Sequence, residues 1–582
     1  MRFSLWPCVL VILLLVGCAA APGPRPTGAE AAGAAGDAAA TRSPSQTADA
    51  TAYLHTAMAH LWVQAGRLDE AIAELRKALA RDDRAPGLWT TLARWLGRKE
   101  AYPEGVEAAR KAVLLDPQSM PARLTLAELY HAQKKVPEAI QELEQAIPIA
   151  PAAAEPYELL FRYHGERKDY DQARAALERL LAVQPRHARA HYLLGRLAQE
   201  REAWDEAIRL LRRSVELDPD QDAAWAALAS IYERQKRDEE ALQVYRQAVE
   251  ANPDNVALRD RLGDLLLRLG KAKDALQEFE ALTEQLPSDA RVWFKLGAVQ
   301  YEQKAYDASI ESFRRVLTLD PNNLRARFYL SQVYLDAGRE ADALTELREV
   351  LRADPRSIDA RLQLGFLHSR AKRYDEAVGV LTEAINLDPK RPELFLYLGM
   401  AYYRANQHDR AIRTYQEGLA IDDKHKDLHF QLGVVYEKGG RFDDAVTQFR
   451  RVIALDPKHA EAYNYVGYMF AEKGVNLPEA EQLIRKALEL EPDNGFYADS
   501  LGWAFYQQGR YDEALRELSR AVELTRGKED AVIFDHLGDA YLKAGNEADA
   551  LRAWEKALEL DPASDTVKRK VEQARQRREG KK

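Results

Sequence analysis

Cysteine is almost missing from this chain: there are two, Cys8 and Cys18, both close to the N-terminus. Neither a disulfide nor a thiolate-held metal can therefore brace the long body that follows. An excess of one charge is missing too. The 83 basic and 92 acidic residues are interspersed and leave a net charge of -9. No broad basic field exists to hold a phosphate backbone, which argues against nucleic acid as a partner. The apolar run from Phe3 to Val16 is shorter than the about 20 residues that a membrane-spanning helix needs. Signatures of chemistry are absent as well. There is no glycine-rich phosphate loop, no G-x-S-x-G elbow and no separate catalytic domain, so neither an enzyme nor a bound cofactor is expected.

What is present begins at the N-terminus. Arg2, the apolar run to Val16 and the sequence "LVGC" ending at Cys18 resemble a bacterial lipoprotein signal with its lipobox. That resemblance implies removal of residues 1–17 and acylation of Cys18, whose acyl chains suffice for stable membrane attachment at about 0.8 kcal/mol per buried methylene. Ala19, in place of an Asp, implies the outer membrane. The following stretch to residue 51 is mostly Ala, Gly, Pro, Thr and Ser. It cannot bury enough apolar surface to fold and is expected to act as a disordered linker.

Beyond it the chain repeats itself. "RRVLTLDPNN" at Arg314 returns as "RRVIALDPKH" at Arg450. The prolines at Pro117, Pro151, Pro185, Pro219, Pro253, Pro287, Pro321, Pro355, Pro389 and Pro457, with Asp423 in the series, fall every 34 residues. Apolar residues at spacings of three and four put one stripe on each of two short helices per repeat, and neither can bury its stripe alone. Gly at the eighth position of the repeat (Gly263, Gly399, Gly538) and Ala at the twentieth remove bulk where the two helices cross. In "RYDEA" and "RFDDA" the Asp is expected to cap the second helix, with the aromatic before it as a hydrophobic staple. The "LDP" at the repeat's end stops that helix, because the residue before proline avoids helical backbone. One residue is added near "KGVNLPEA" and about two near "TRGKED", which lengthen turns without shifting the apolar register.

In the repeat starting at Pro392, the set Phe395, Leu398, Gly399, Tyr402, Ala411 and Tyr415 resembles the tetratricopeptide repeat. The resemblance covers residues 52 to about 562 and implies an all-α, right-handed superhelical solenoid of about fifteen helix-turn-helix repeats. The tail, 563–582, resembles the polar helix that closes such arrays; its basic residues include Lys568, Lys570 and Arg575.

In that family the binding groove is lined by positions two, five, nine, twelve and thirteen of each first helix. Across 52–289 these positions are mostly charged, for example Glu155, Glu158, Arg162, Arg189, Arg196 and Asp264, with Tyr192 among them. Across 290–562 they carry Phe294, Tyr301, Phe328, Phe366, Met400, Tyr403, Phe430, Tyr468, Phe496, Trp503 and Tyr506, joined by Leu335, Leu362, Leu396 and Val434. An apolar strip of that extent marks a binding surface, and an extended or helical peptide segment is the expected ligand. The family's carboxylate clamp, Lys at position five with Asn at nine, does not occur. His187 with His191, and His425 with His429, stand four apart and could share a helical face. Neither pair has a third ligand nearby, "HKDLH" lacks the glutamate of a zinc-protease motif, and no metal is assigned. The implied function is a protein-binding scaffold that assembles an envelope machine for outer-membrane protein insertion, pili or polysaccharide export. The alternative is an accessory subunit that presents substrates to a separate periplasmic protease or glycan enzyme.

Overall fold

The computed structural model describes residues 50–579. The expectations for the signal segment, Cys18 and most of the linker lie outside them. Among the described residues there are 31 helices and no strand, from α1 (Ala50–Gln64) to α31 (Asp565–Glu579). No described helix is long and apolar enough to cross a membrane. Each odd-numbered helix from α1 to α29 packs as a hairpin on the even-numbered helix after it, which makes fifteen repeats, and α31 follows alone. The hairpins fall into two compact units, one ending at Arg186 and one beginning at His187. The change from polar to aromatic first helices, at residue 289, therefore lies inside the second unit.

The eighth-position glycines sit where the sequence places them. A Cβ at Gly538 would come 2.5 Å from the buried Trp554 ring, and one at Gly399 would overlap the ring of Tyr415. Across from them Ala275, Ala411 and Ala445 are fully buried. Close approach of the two backbones thus depends on missing side chains, as tight packing demands.

The turn inside each hairpin departs from expectation. The residue capping the second helix is Arg, Lys, Ala or another side chain one position before the aromatic or Leu, and the Asp lies inside the first turn. Arg441, for instance, is the N-cap of α24 (Phe442–Leu455) and makes no side-chain cap hydrogen bond. Its guanidinium instead pairs with Asp444 at 2.7 Å, and Arg67 with Glu70 repeats the arrangement at 2.6 Å. The Asp therefore helps through the helix dipole and not as a cap. Just before this point the chain turns through left-handed backbone, at Lys304 with φ 60 and Lys372 with φ 58 where other repeats have Gly. The Ala305 amide reaches back to the Gln300 carbonyl at 2.9 Å and Lys304 to Tyr301 at 2.9 Å, the paired bonds that close a helix end.

Between repeats the Asp of "LDP" does more than precede proline. Asp388 Oδ1 accepts the Lys390 amide at 3.2 Å and Asp456 Oδ1 that of Lys458 at 3.1 Å, so each carboxylate forms an Asx turn over the proline. In most repeats the next first helix is then capped by Asn, Ser, Asp or His, whereas α11 (Asp222–Arg234) and α21 (Pro392–Arg404) follow Gln221 and Arg391 without a side-chain cap bond. His187 and His425 are such caps, with the His425 Nδ1 accepting the Leu428 amide. His429 occupies a position that in other repeats holds Trp or Arg. Like Trp225 and Trp293, whose indoles donate to the carbonyls of Pro219 and Pro287, it reaches the repeat's opening carbonyl, here Asp423 at 3.0 Å. At the C-terminus Val567, Val571 and Ala574 of α31 are buried against Leu551 and Trp554, closing the stack.

Candidate functional site

The first helices concerned are α15 (Ala290–Glu302), α17 (Leu324–Asp336), α19 (Ile358–Arg370), α21 (Pro392–Arg404), α23 (Lys426–Lys438), α25 (Ala460–Lys473), α27 (Gly495–Gln507) and α29 (Ala531–Lys543). Successive members touch one another directly, α25 with α27 most extensively. Phe294, Tyr301, Phe328, Phe366, Met400, Tyr403, Tyr468 and Tyr506 are half-buried, and Phe496 is 55% exposed.

Two of the expected groove residues belong to the core. Phe430 is 8% exposed and Trp503 9%; Leu335, named beside them, is buried as well. Phe430 packs edge-on against Phe449 and Tyr465, at 5.5 and 5.6 Å between centroids. Trp503 lies between Tyr506, stacked at 4.6 Å, and His536, stacked at 4.1 Å, with its indole N–H on Glu472 at 2.9 Å. Their rings lean into the joint between repeats, where both faces meet other side chains.

That joint follows a rule missed in the sequence. At several joints the residue at position six of the following first helix meets position five or nine of the one before. Tyr329 meets Phe294 at 5.3 Å, Tyr397 meets Phe366 at 6.2 Å, Tyr465 meets Phe430, and His536 meets Trp503. Where the earlier helix carries two carboxylates, position six is lysine. Lys295 bridges Asp260 and Asp264 of α13 (Val256–Arg268) at 2.6 and 2.8 Å. Lys570 of α31 bridges Asp535 and Asp539 at 2.7 and 2.8 Å. The aromatic stretch is thus bracketed by two matching Asp–Asp–Lys joints. Covariation of position six with the preceding helix, visible within this one chain, was the signal.

The electrostatics of the stretch are set by carboxylates. Asp499 and His536, each 8% exposed, pair at 3.0 Å. Burial opposes charging of His536, but Asp499 and then Asp535 and Glu472 outweigh it and hold the imidazole above the ordinary histidine range. Burial first, and then the charges of Asp539 and Asp535, push the Tyr506 phenol up to about 12. Burial likewise raises Asp264 and Asp539 despite their lysines. Among the described residues no group of three or more His, Cys, Asp or Glu is placed to hold a metal ion. The arrangement offers aromatic surface and acceptor charge, which is the equipment of recognition.

Comparison with known proteins agrees with the repeat geometry. Sequence models described as tetratricopeptide repeat match residues 159–222, 192–256, 261–323 and 430–495, 98–160, 300–365, 334–395 and 368–429, and 531–564, together more than half of the chain. TPR repeat-containing protein PA4667 of Pseudomonas aeruginosa is 40% identical over 60 residues, 10% of this chain and 10% of that protein. The match thus spans about a tenth of that relative's length. Among solved structures, a chain of the APC/C hetero-tetramer Cut9-Hcn1 is 15% identical with a TM-score of 0.37, over 90% of this chain and 96% of that one. Yeast Tom70 is 15% identical with a TM-score of 0.36, over 87% and 99%. Overlays this loose add nothing to what the repeat models carry.

Proposed function

Since the chain belongs to the tetratricopeptide repeat family, whose stacked hairpins serve as protein-binding scaffolds, we propose that it is a non-catalytic scaffold for a cell-envelope complex. In this reading it is held by the lipid on Cys18 at the periplasmic side of the outer membrane. The complex it assembles serves outer-membrane protein insertion, pili or polysaccharide export. The observation that carries the reading is the run of partly open aromatics and methionine on the first helices α15, α17, α19 and α21, resumed on α25 and α27 after the buried Phe430 of α23. Phe366, Met400 and Tyr403 are half-buried and still present contact area after the joints between repeats are filled. Aromatic rings and methionine give large contact at low entropic cost and adapt to irregular partners. An extended or helical segment of a partner protein fits a surface of this kind.

Replacing Phe366, Met400 and Tyr403 together by Ser is expected to abolish co-precipitation of the native partner from cross-linked envelopes while the helical circular dichroism persists and melting changes little. A collapse of melting would assign these side chains to the repeat joints and withdraw the reading. The lipid anchor is tested separately. Cys18→Ser should remove fatty-acid labelling and leave uncleaved precursor, and unchanged labelling would refute it.

A further inference from the structure

Along α25 one line of side chains presents acceptors and little else. Glu461, Asn464, Tyr468 and Glu472 recur at spacings of three and four, which places them on one face of the helix. The Oδ1 of Asn464 is buried without a hydrogen-bond partner, as is Oε2 of Glu437 on the neighbouring α23. That same Glu437 Oε2 is ion-paired with Lys438, its chain neighbour, at 3.4 Å, and the lysine side chain is 61% exposed. Glu461 has no ion pair among the described residues, and burial followed by the charge of Glu491 pushes its carboxyl up. Glu472 accepts the indole N–H of Trp503, interacts with the Tyr468 phenol and is exposed to solvent. The contrast with the flanking joints is direct. Asp260, Asp264, Asp535 and Asp539 each have a lysine from the next helix, and Asp499 has His536. For α25 the corresponding residue, at position six of α27, is Ser500, whose hydroxyl donates to the Phe496 carbonyl and which supplies no cation.

From this geometry we propose that the α23–α25–α27 face takes a basic peptide segment, with a lysine or arginine side chain seated among Glu437, Asn464 and Glu472 against the ring of Tyr468. The inference rests on the scaffold reading and adds the chemistry of the partner. A guanidinium or ammonium group supplies the donor that the buried Asn464 Oδ1 lacks and the charge that Glu461 has no partner for, and a desolvated acceptor without a donor is costly to keep. It also completes for α25 the charge balance that lysine completes within the chain at the two bracketing joints. The phenol of Tyr468 adds a ring face for the cation. Exposed Phe496 on α27, and half-buried Met400 and Tyr403 on α21 next to α23, would hold the apolar residues of the same segment.

The test uses the full chain in detergent and three fluorescent peptides of equal length, alternating alanine with lysine, glutamine or glutamate, read by anisotropy at low and at physiological salt. The lysine peptide should bind about tenfold tighter than the glutamine peptide, with the advantage shrinking as salt rises. The double variant Glu437→Gln/Glu472→Gln should lose that advantage with unchanged circular dichroism, whereas Glu155→Gln/Glu158→Gln should keep it. Equal binding of the lysine and glutamine peptides, tighter binding of the glutamate peptide, or a preference that survives the double variant would overturn the proposal. So would self-association of the chain that buries this strip. In each of those cases the triple Ser variant would still report independently on the scaffold reading.

Discussion

The first helices before residue 289 and those after it are built on one frame and use the same positions to opposite ends. At position nine Arg196 is exposed, touching only the Tyr192 hydroxyl at 3.3 Å, whereas Trp503 at the same position is sandwiched between two rings. At positions five and nine Asp260 and Asp264 are tied by Lys295, while Leu396 and Met400 are tied by nothing charged. The frame itself does not change. Gly263 abuts Phe279 just as Gly399 abuts Tyr415. Stability of a repeat is therefore set by the joint between its two helices, and the character of its outer face by positions free to vary, as the quasi-one-dimensional logic of solenoids allows.

The largest expected effect separates the two regions at position nine. Trp503→Ala should cost about 3–5 kcal/mol, as for a buried aromatic, while Arg196→Ala should cost less than about 0.5 kcal/mol. Local hydrogen exchange is the suitable readout, because a repeat array opens in parts. Similar losses at the two sites would erase the distinction between them. A second pair tests what the regions share. Gly399→Leu against Tyr415 and Gly263→Leu against Phe279 should each cost about 1–3 kcal/mol, and Lys424→Ala, at an exposed turn, close to nothing. A marked difference between the two glycines in denaturant titration would mean that the frame is not common.

A third effect is pH-dependent and runs in different windows on the two sides. His536 is held above the ordinary histidine range, so its contribution is complete below the unfolded value near 6.5 and is lost as pH rises through the folded one. Exchange protection of α27 and α29 should fall as pH rises through the raised folded value, and His536→Gln should remove that slope. Asp264 is raised by burial, so α13 should instead gain stability as pH falls through the folded value of this carboxyl toward the unfolded one near 3.8. The smallest effect is at the hairpin turn. Arg441 and Asp444 are both half-exposed, and Arg441→Ala should cost at most about 0.5 kcal/mol, with Arg237→Ala in the polar region matching it.

Much of this was legible in the sequence because the repeat is a register of contacts. The spacing of prolines, the glycines facing buried rings and the fifteen hairpins follow from a period in which each side chain has a fixed neighbour. Two things were not legible. The first is which way a residue at position five or nine leans. Phe430 and Trp503 turn into the joint because Tyr465 and His536 stand opposite them, whereas Met400 does not, and that depends on the next helix as well as on the residue itself. The second is capping. The Asp in "RFDDA" reads as an N-cap, but left-handed backbone before Arg441, at Gly440, starts α24 two residues earlier. A turn set by backbone hydrogen bonds leaves little trace in side-chain preferences.

The claim that the aromatic face meets the partner is tested most directly by placing a photo-reactive amino acid at Phe366, Tyr403, Phe496, Arg162 and Arg196 in turn and irradiating intact cells. The account predicts that Phe366, Tyr403 and Phe496 cross-link to the same protein and that Arg162 and Arg196 give no such product. Cross-links of equal yield from Arg162 and Arg196, or none from the three aromatic positions, would contradict it.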